Sequence, residues 1–202
     1  MRKLIFSCSL FIAVLSYGQK ANVESASSQS KGLIGISMRY GPLHLEDPSS
    51  IDPWNLTDNK TMLPEVEIEI YPIEHVPVTI SLSRISTIGS LGGPTTCPQF
   101  LELKNVSLGT GYDIPVWIFS FKPGIDVMYS FGEYSFNHSP TDVYSSSGWG
   151  VDLHVIERIW ITKHFSIGMK QSTSLLSVAV RPLADNVNLD SHIFQLGIGC
   201  FF

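Results

Sequence analysis

Charge is scarce in this chain. Asp, Glu, Lys and Arg together make up 15% of the residues, where a soluble globular domain carries about 25%. The little charge there is leans acidic, with a formal net charge of −5. No basic stripe exists to neutralise phosphates, which excludes nucleic acid as a partner. Long apolar runs are missing as well: Leu4–Leu15 is the longest, and it falls short of the roughly 20 residues a membrane-spanning helix needs. Cysteine is confined to Cys8, Cys97 and Cys200, none of them in a CxxC pair of the kind that marks a zinc site. Gly89, Gly92 and Gly93 follow a predicted strand with no helix after them, so no phosphate-cradling loop is expected.

What is present begins with an export signal. Arg2 and Lys3 precede the apolar run, and Ser16-Tyr17-Gly18 places small residues where a signal peptidase reads. Residues 1–18 are expected to be a signal peptide cleaved before Gln19, which would take the net charge from −5 to about −7. Cys8 lies inside the apolar run, too early to mark a lipoprotein. Residues 19–31 (QKANVESASSQSK) are polar, Ser-rich and aperiodic, as a flexible lead-in would be.

From Gly32 to Phe202 the pattern is alternation with period two, the signature of half-buried strands. Eight segments show it: Gly32–Gly41, Glu65–Tyr71, Val78–Ile88, Leu101–Tyr112, Val116–Phe131, Gly148–Arg158, His164–Val180 and Ser191–Phe202. In the last, Phe194, Leu196, Ile198, Cys200 and Phe202 share one face, and Gln195, Gly197 and Gly199 the other. The connections alternate too. Pro42–Pro64, Gly89–Phe100, Gly132–Ser147 and Arg181–Asp190 are long, whereas Pro72–Pro77, Asp113–Pro115 and Ile159–Lys163 are short. Bacterial outer-membrane barrels have an even strand number, short periplasmic turns and longer external loops. A soluble sandwich has no reason to produce that order.

On these features residues 32–202 resemble the small eight-stranded outer-membrane β-barrel superfamily of Gram-negative bacteria. The stretches that carry the likeness are KHFSIGMKQ (Lys163–Gln171), YPIEHVPVTISLS (Tyr71–Ser83) and the closing IFQLGIGCFF (Ile193–Phe202). The resemblance implies an all-β fold, an eight-stranded antiparallel up-and-down transmembrane β-barrel in the cell outer membrane. It also implies contact with outer-membrane lipid, recognition of the C-terminal strand ending in Phe202 by the barrel-assembly machinery, and a monomer. It implies no activity, because one fold hosts many functions.

Face composition decides against the other all-β reading, a soluble lipocalin-like ligand binder with an apolar interior. The small and polar faces gather Arg39, Glu67, Glu69, Lys122, Asp126, Asp152, His154, Lys170 and Gln195. An eight-stranded barrel has an interior that side chains just fill, and buried charges persist only when paired. Arg39, Glu67, Glu69, Lys122, Asp126, Asp152, His154 and Lys170 are therefore expected to form a structural polar cluster filling the lumen. Trp117, Trp149, Trp160, Tyr112, Tyr129 and Phe202 fall near strand ends, as in the aromatic girdles of the two interfaces. Cys97 falls in a loop and Cys200 at the opposite end of this layout, so two free thiols are expected, Cys200 facing lipid as a small hydrophobe. Two residues break the pattern. Arg84 shares parity with apolar neighbours, which calls for a position at the external edge or a bulge, and Pro123 calls for a bulge or interrupted pairing.

No catalysis is expected. The barrel lipid A deacylases carry a His and a Ser one residue apart, then Asn, with a Glu downstream. Here His138 and Ser139 are adjacent, Pro140 follows, and the nearest downstream Glu is Glu157. The histidines show no paired ligand spacing, and Asp47, Asp52 and Asp58 lack the ligand pattern of a calcium loop, so neither metal nor cofactor is expected. The leading role is structural or surface interaction through external loops, with Trp54 as the candidate contact residue because exposed aromatics anchor interfaces. A narrow porin-like channel is the alternative, followed by a lipid-modifying enzyme. N-terminal sequencing of the exported protein should begin at Gln19; a chain retaining Met1 would remove the export reading.

Overall fold

Alternating apolar and small-polar residues give a strand one face for each of two solvents, and eight such strands close on themselves. The computed structural model describes residues 34–45, 62–90, 98–136, 143–181 and 184–202. The signal peptide, the 19–31 lead-in, Trp54, Cys97, His138 and Ser139 lie outside those residues. The strands are β1 (Ile34–Leu45), β2 (Met62–Ile73), β3 (Val76–Ser90), β4 (Pro98–Gly111), β5 (Ile114–Val116), β6 (Phe119–Phe136), β7 (Val143–Thr162), β8 (Phe165–Arg181), β9 (Ala184–Asn188) and β10 (Ser191–Phe201). All pairings are antiparallel between neighbours, and β10 pairs with both β8 and β1, so β1–β4, β6–β8 and β10 form a closed ring of eight. At the seam Arg39 opposes Gly197 and Ile36 opposes Cys200.

The short strands β5 and β9 correct two expected connections. The link foreseen at Asp113–Pro115 is a hairpin, in which β5 pairs with the start of β6 (Ile114 with Phe121, Val116 with Phe119). Pro123 is the reason. Its carbonyl accepts from Tyr112 N at 3.0 Å, but with no N–H it cannot continue the ladder to β4. There β6 changes partner from β4 to β5 while its pairing with β7 runs on unbroken through Pro123 and Val155. Trp117, in the tight turn after β5, takes φ 57°, a left-handed conformation costly for a bulky residue. Its ring is exposed. At the other end β9 extends the hairpin of β8 into the segment foreseen as a loop.

Outside, the barrel is an apolar belt. Met38, Leu82, Leu108, Leu153 and Leu196 are between 52% and 59% exposed, an arrangement suited to lipid. Cys200 is a free, exposed thiol on this face. Above the belt the strands continue, and their outer faces turn polar. Arg84 opposes Lys104 in an unbroken register, and its guanidinium meets Glu102 at 2.9 Å. Arg84 therefore marks the external edge and no bulge is needed.

Inside, the lumen is layered, which corrects the expectation of a polar plug throughout. The external end holds an apolar core that includes Leu43, Leu63, Ile85, Leu103, Met128 and Leu176. The periplasmic end is floored by Tyr71, Trp160 and Phe201. Trp160 thus leaves the expected girdle: it has the parity of the lumen residues, is buried, and its indole N–H donates to Ser120 Oγ at 3.2 Å. Most of the apolar layer lies behind strand segments whose outer faces have turned polar, and there the ordinary rule of a soluble interior applies. Leu103 is 0% exposed. Leu103→Ala should lower stability by about 2–5 kcal/mol, read as a lower urea midpoint for the heat-modifiable folded band.

Candidate functional site

Between these two apolar layers lies the polar cluster, and one strand supplies its anionic spine. Glu65, Glu67 and Glu69 recur at every second residue of β2, so all three carboxylates enter the lumen, where each is buried. The cations come from four other strands. Arg39 on β1 reaches Glu65 at 3.0 Å and Glu67 at 3.1 Å. Lys122 on β6 lies 2.9 Å from Glu67 and 3.1 Å from Glu69. Arg158 on β7 pairs with Glu69 and approaches Asp113 at 3.9 Å. Lys170 on β8 bonds both oxygens of Glu65 at 3.1 Å.

The floor is tied into the same network. The Tyr71 hydroxyl donates to Glu69 at 2.9 Å and also lies 3.3 Å from Asp113. The Arg158 guanidinium stands 5.2 Å over the ring of Phe201, a cation–π contact. Phe201 in turn packs 4.7 Å from Trp160, centroid to centroid.

A second group sits beside the spine. Asp126 on β6 and Asp152 on β7 are opposed in register, and His154 follows on β7. His154 Nδ1 is 3.4 Å from Asp126 Oδ2 and 3.7 Å from Asp152 Oδ2. Lys170 links the groups, with Nζ 3.3 Å from Asp152 and 4.0 Å from Asp126.

All eight residues of the expected cluster are buried in one lumen: Arg39, Glu67, Glu69, Lys122, Asp126, Asp152, His154 and Lys170. Glu65, Asp113, Arg158 and Tyr71 complete it and had not been singled out. Parity alone was the available signal. Glu65 continues the Glu67–Glu69 face, Arg158 continues Asp152–His154, and Asp113 continues Gly109–Gly111.

Chemically, these are charges that hold one another. A carboxylate moved out of water is costly, and its partners repay that cost only while every one is in place. Removing Lys122 leaves Glu67 and Glu69 short of a shared cation, so Lys122→Met should destabilise by about 3–5 kcal/mol. Restoring neutrality with Glu67→Gln in the same chain should recover a large part of that loss. The urea midpoints of the two single variants and the double variant measure it; additive losses would mean that the pair does not act as one unit.

No family model matches the chain, and no curated protein does. Solved structures do. The attachment invasion locus protein Ail of Yersinia pestis superposes with a TM-score of 0.55 at 13% identity, over 85% of this chain and 99% of that one. Neisserial surface protein A gives 0.58 at 12%, over 84% and 97%. OprG, an outer membrane protein of Pseudomonas aeruginosa, gives 0.57 at 11%, over 86% and 98%. At such identities the likeness is one of fold. Taken with the apolar belt and the closed ring, it gives the chain the fold of the small eight-stranded outer-membrane β-barrels.

Proposed function

We propose that the protein is a non-catalytic surface component of the outer membrane, a rigid barrel that presents loops for contact with other molecules. The observation that carries this reading is the filled lumen. An apolar layer, an ion-paired layer and an aromatic floor follow one another along the axis, which favours a scaffold over a conduit. Function then concentrates in the external connections, as it does on loops held by rigid frames. Within segments 42–64 and 132–147, residues 46–61 and 137–142, which lie beyond the ends of β1, β2, β6 and β7, are the contact surfaces in this reading. Trp54 is their anchor, since buried aromatic anchors dominate interface energies.

In the same reading residues 1–18 direct export, 19–31 lead in, and 32–202 form the barrel domain. The barrel is a monomer whose terminal Phe202 serves recognition by the assembly machinery. The exposure of Phe202 at the periplasmic rim, 71%, supports that role.

Two measurements test the proposal. In planar bilayers the purified protein should give no single-channel steps; persistent conductance would replace the scaffold by a narrow channel. Cells displaying Trp54→Ala should bind at least tenfold less to whichever component of immobilised protein and glycan panels captures wild type, a loss on the scale of an interface hot spot. Heat-modifiable migration should be unchanged. Equal capture of the variant would remove Trp54 from the contact surface.

A further inference from the structure

The lumen cluster is incompletely neutralised. Its buried cations are Arg39, Lys122, Arg158 and Lys170; its buried carboxylates are Glu65, Glu67, Glu69, Asp113, Asp126 and Asp152. Two negative charges are left over among the described residues, and buried charge without compensation is costly. The surplus falls on the acids off β2: Asp113 has only Arg158, 3.9 Å away, and the Asp126–Asp152 pair has only Lys170, at 4.0 and 3.3 Å.

We propose that Asp126, Asp152 and His154 form a binding site for one divalent transition-metal ion inside the barrel. Four observations converge there. First, one donor atom from each residue lies within 4.8 Å of the other two. The distances of 3.4 and 3.7 Å from His154 Nδ1 to the two Oδ2 atoms are close to the edge of a tetrahedron with bonds of about 2.1 Å, roughly 3.4 Å.

Second, the His154 side chain is wholly buried, its Nε2 has no hydrogen-bond partner, and its Nδ1 faces the two carboxylate oxygens only at the long distances of 3.4 and 3.7 Å. Buried polar atoms are almost always partnered, and a neutral imidazole has a lone pair to give.

Third, the far oxygens of both carboxylates are already held. Thr79 donates to Asp126 Oδ1 at 3.1 Å, and Ser174 donates to Asp152 Oδ1 at 2.7 Å. Both Oδ2 atoms are thereby turned toward His154, the kind of outer support that orients metal ligands.

Fourth, the neighbouring backbone leaves room. A Cβ on Gly109 would collide with Asp126 Oδ1, and one on Gly124 with His154 Nε2. Each glycine lies directly across the ladder from the residue it accommodates.

One nitrogen and two carboxylate oxygens suit Zn2+, Mn2+ or Co2+ over soft cuprous copper. A dication also cancels the two surplus charges, where a protonated His154 would cancel one. Lys170 keeps its two bonds to Glu65, so it need not vacate the cluster for the ion to enter.

The test uses the full chain, both isolated from outer membranes without chelators and refolded from urea into detergent with Zn2+ or Co2+. After desalting, wild type should hold one metal per barrel. Folded His154→Ala and Asp126→Asn/Asp152→Asn should hold less than a tenth of that, and His164→Ala, outside the site, should hold the full amount. If the site variants do not fold, X-ray absorption on the wild-type metal decides. A nitrogen/oxygen shell with one imidazole supports the site, and a shell of oxygens alone overturns it. Wild type that folds without taking up either ion also overturns the proposal, as does metal retained by folded His154→Ala.

Discussion

The structure depends on a row of carboxylates that no single strand can neutralise. Glu65, Glu67 and Glu69 enter the lumen from β2, and their cations arrive from β1, β6, β7 and β8. The cluster is thus complete only when strands far apart in sequence meet across the axis. A soluble barrel fills its interior with hydrocarbon and relies on water to drive the collapse. This one spends its hydrocarbon on the outer surface, where lipid receives it, and must hold its middle by pairing charge. Each ion pair alone is weak evidence for stability, because desolvation offsets its attraction. Together they supply specificity: only one register places all four cations on the same row of acids.

The layering along the axis follows from the solvent outside. Across the membrane the outer face is apolar and the inner face charged. Beyond it, where Arg84 and Glu102 pair on the outside, the interior becomes Leu43, Leu63, Leu101 and Leu103. The same chain thereby switches polarity within single strands, without any change in secondary structure. β4 shows it plainly: Leu101 and Leu103 are buried at its external end, Asn105 and Ser107 face the lumen lower down, and Val106 and Leu108 face lipid.

Most of this frame was legible in the sequence. Period-two alternation gave the strands, and alternating connection lengths gave the up-and-down topology. Parity gave eight of the buried charged residues. What was not legible had physical causes. The apolar end of the lumen was hidden because outward Lys104 and Glu102 next to inward Leu103 and Leu101 reverse the pattern used to tell the faces apart. Trp160 read as a girdle residue because position along a strand says less than parity does. The β5 hairpin was hidden because Asp113–Pro115 has the composition of a tight turn. Pro123 gave notice of an irregularity, but its resolution depended on a change of partner that only three-dimensional pairing reveals. Asp152 and His154 stand two apart on one strand, but Asp126 joins them only through the register of β6 on β7.

The seam between β1 and β10 closes beside Arg39, whose stem passes the bare backbone of Gly197. Until that seam forms, the sheet is open, and the charged middle of its inner face remains hydrated while its outer face is apolar. An open sheet of this kind is an amphiphile. It can lie on a bilayer surface with its acids and bases in water, and it becomes a transmembrane object at the moment those charges find one another. Neutralisation and insertion are then a single event. A chain with a wholly apolar interior would have exposed sticky surface along the whole of both sides of the sheet during transit, and this one keeps a hydrated band across its inner face until the charges meet.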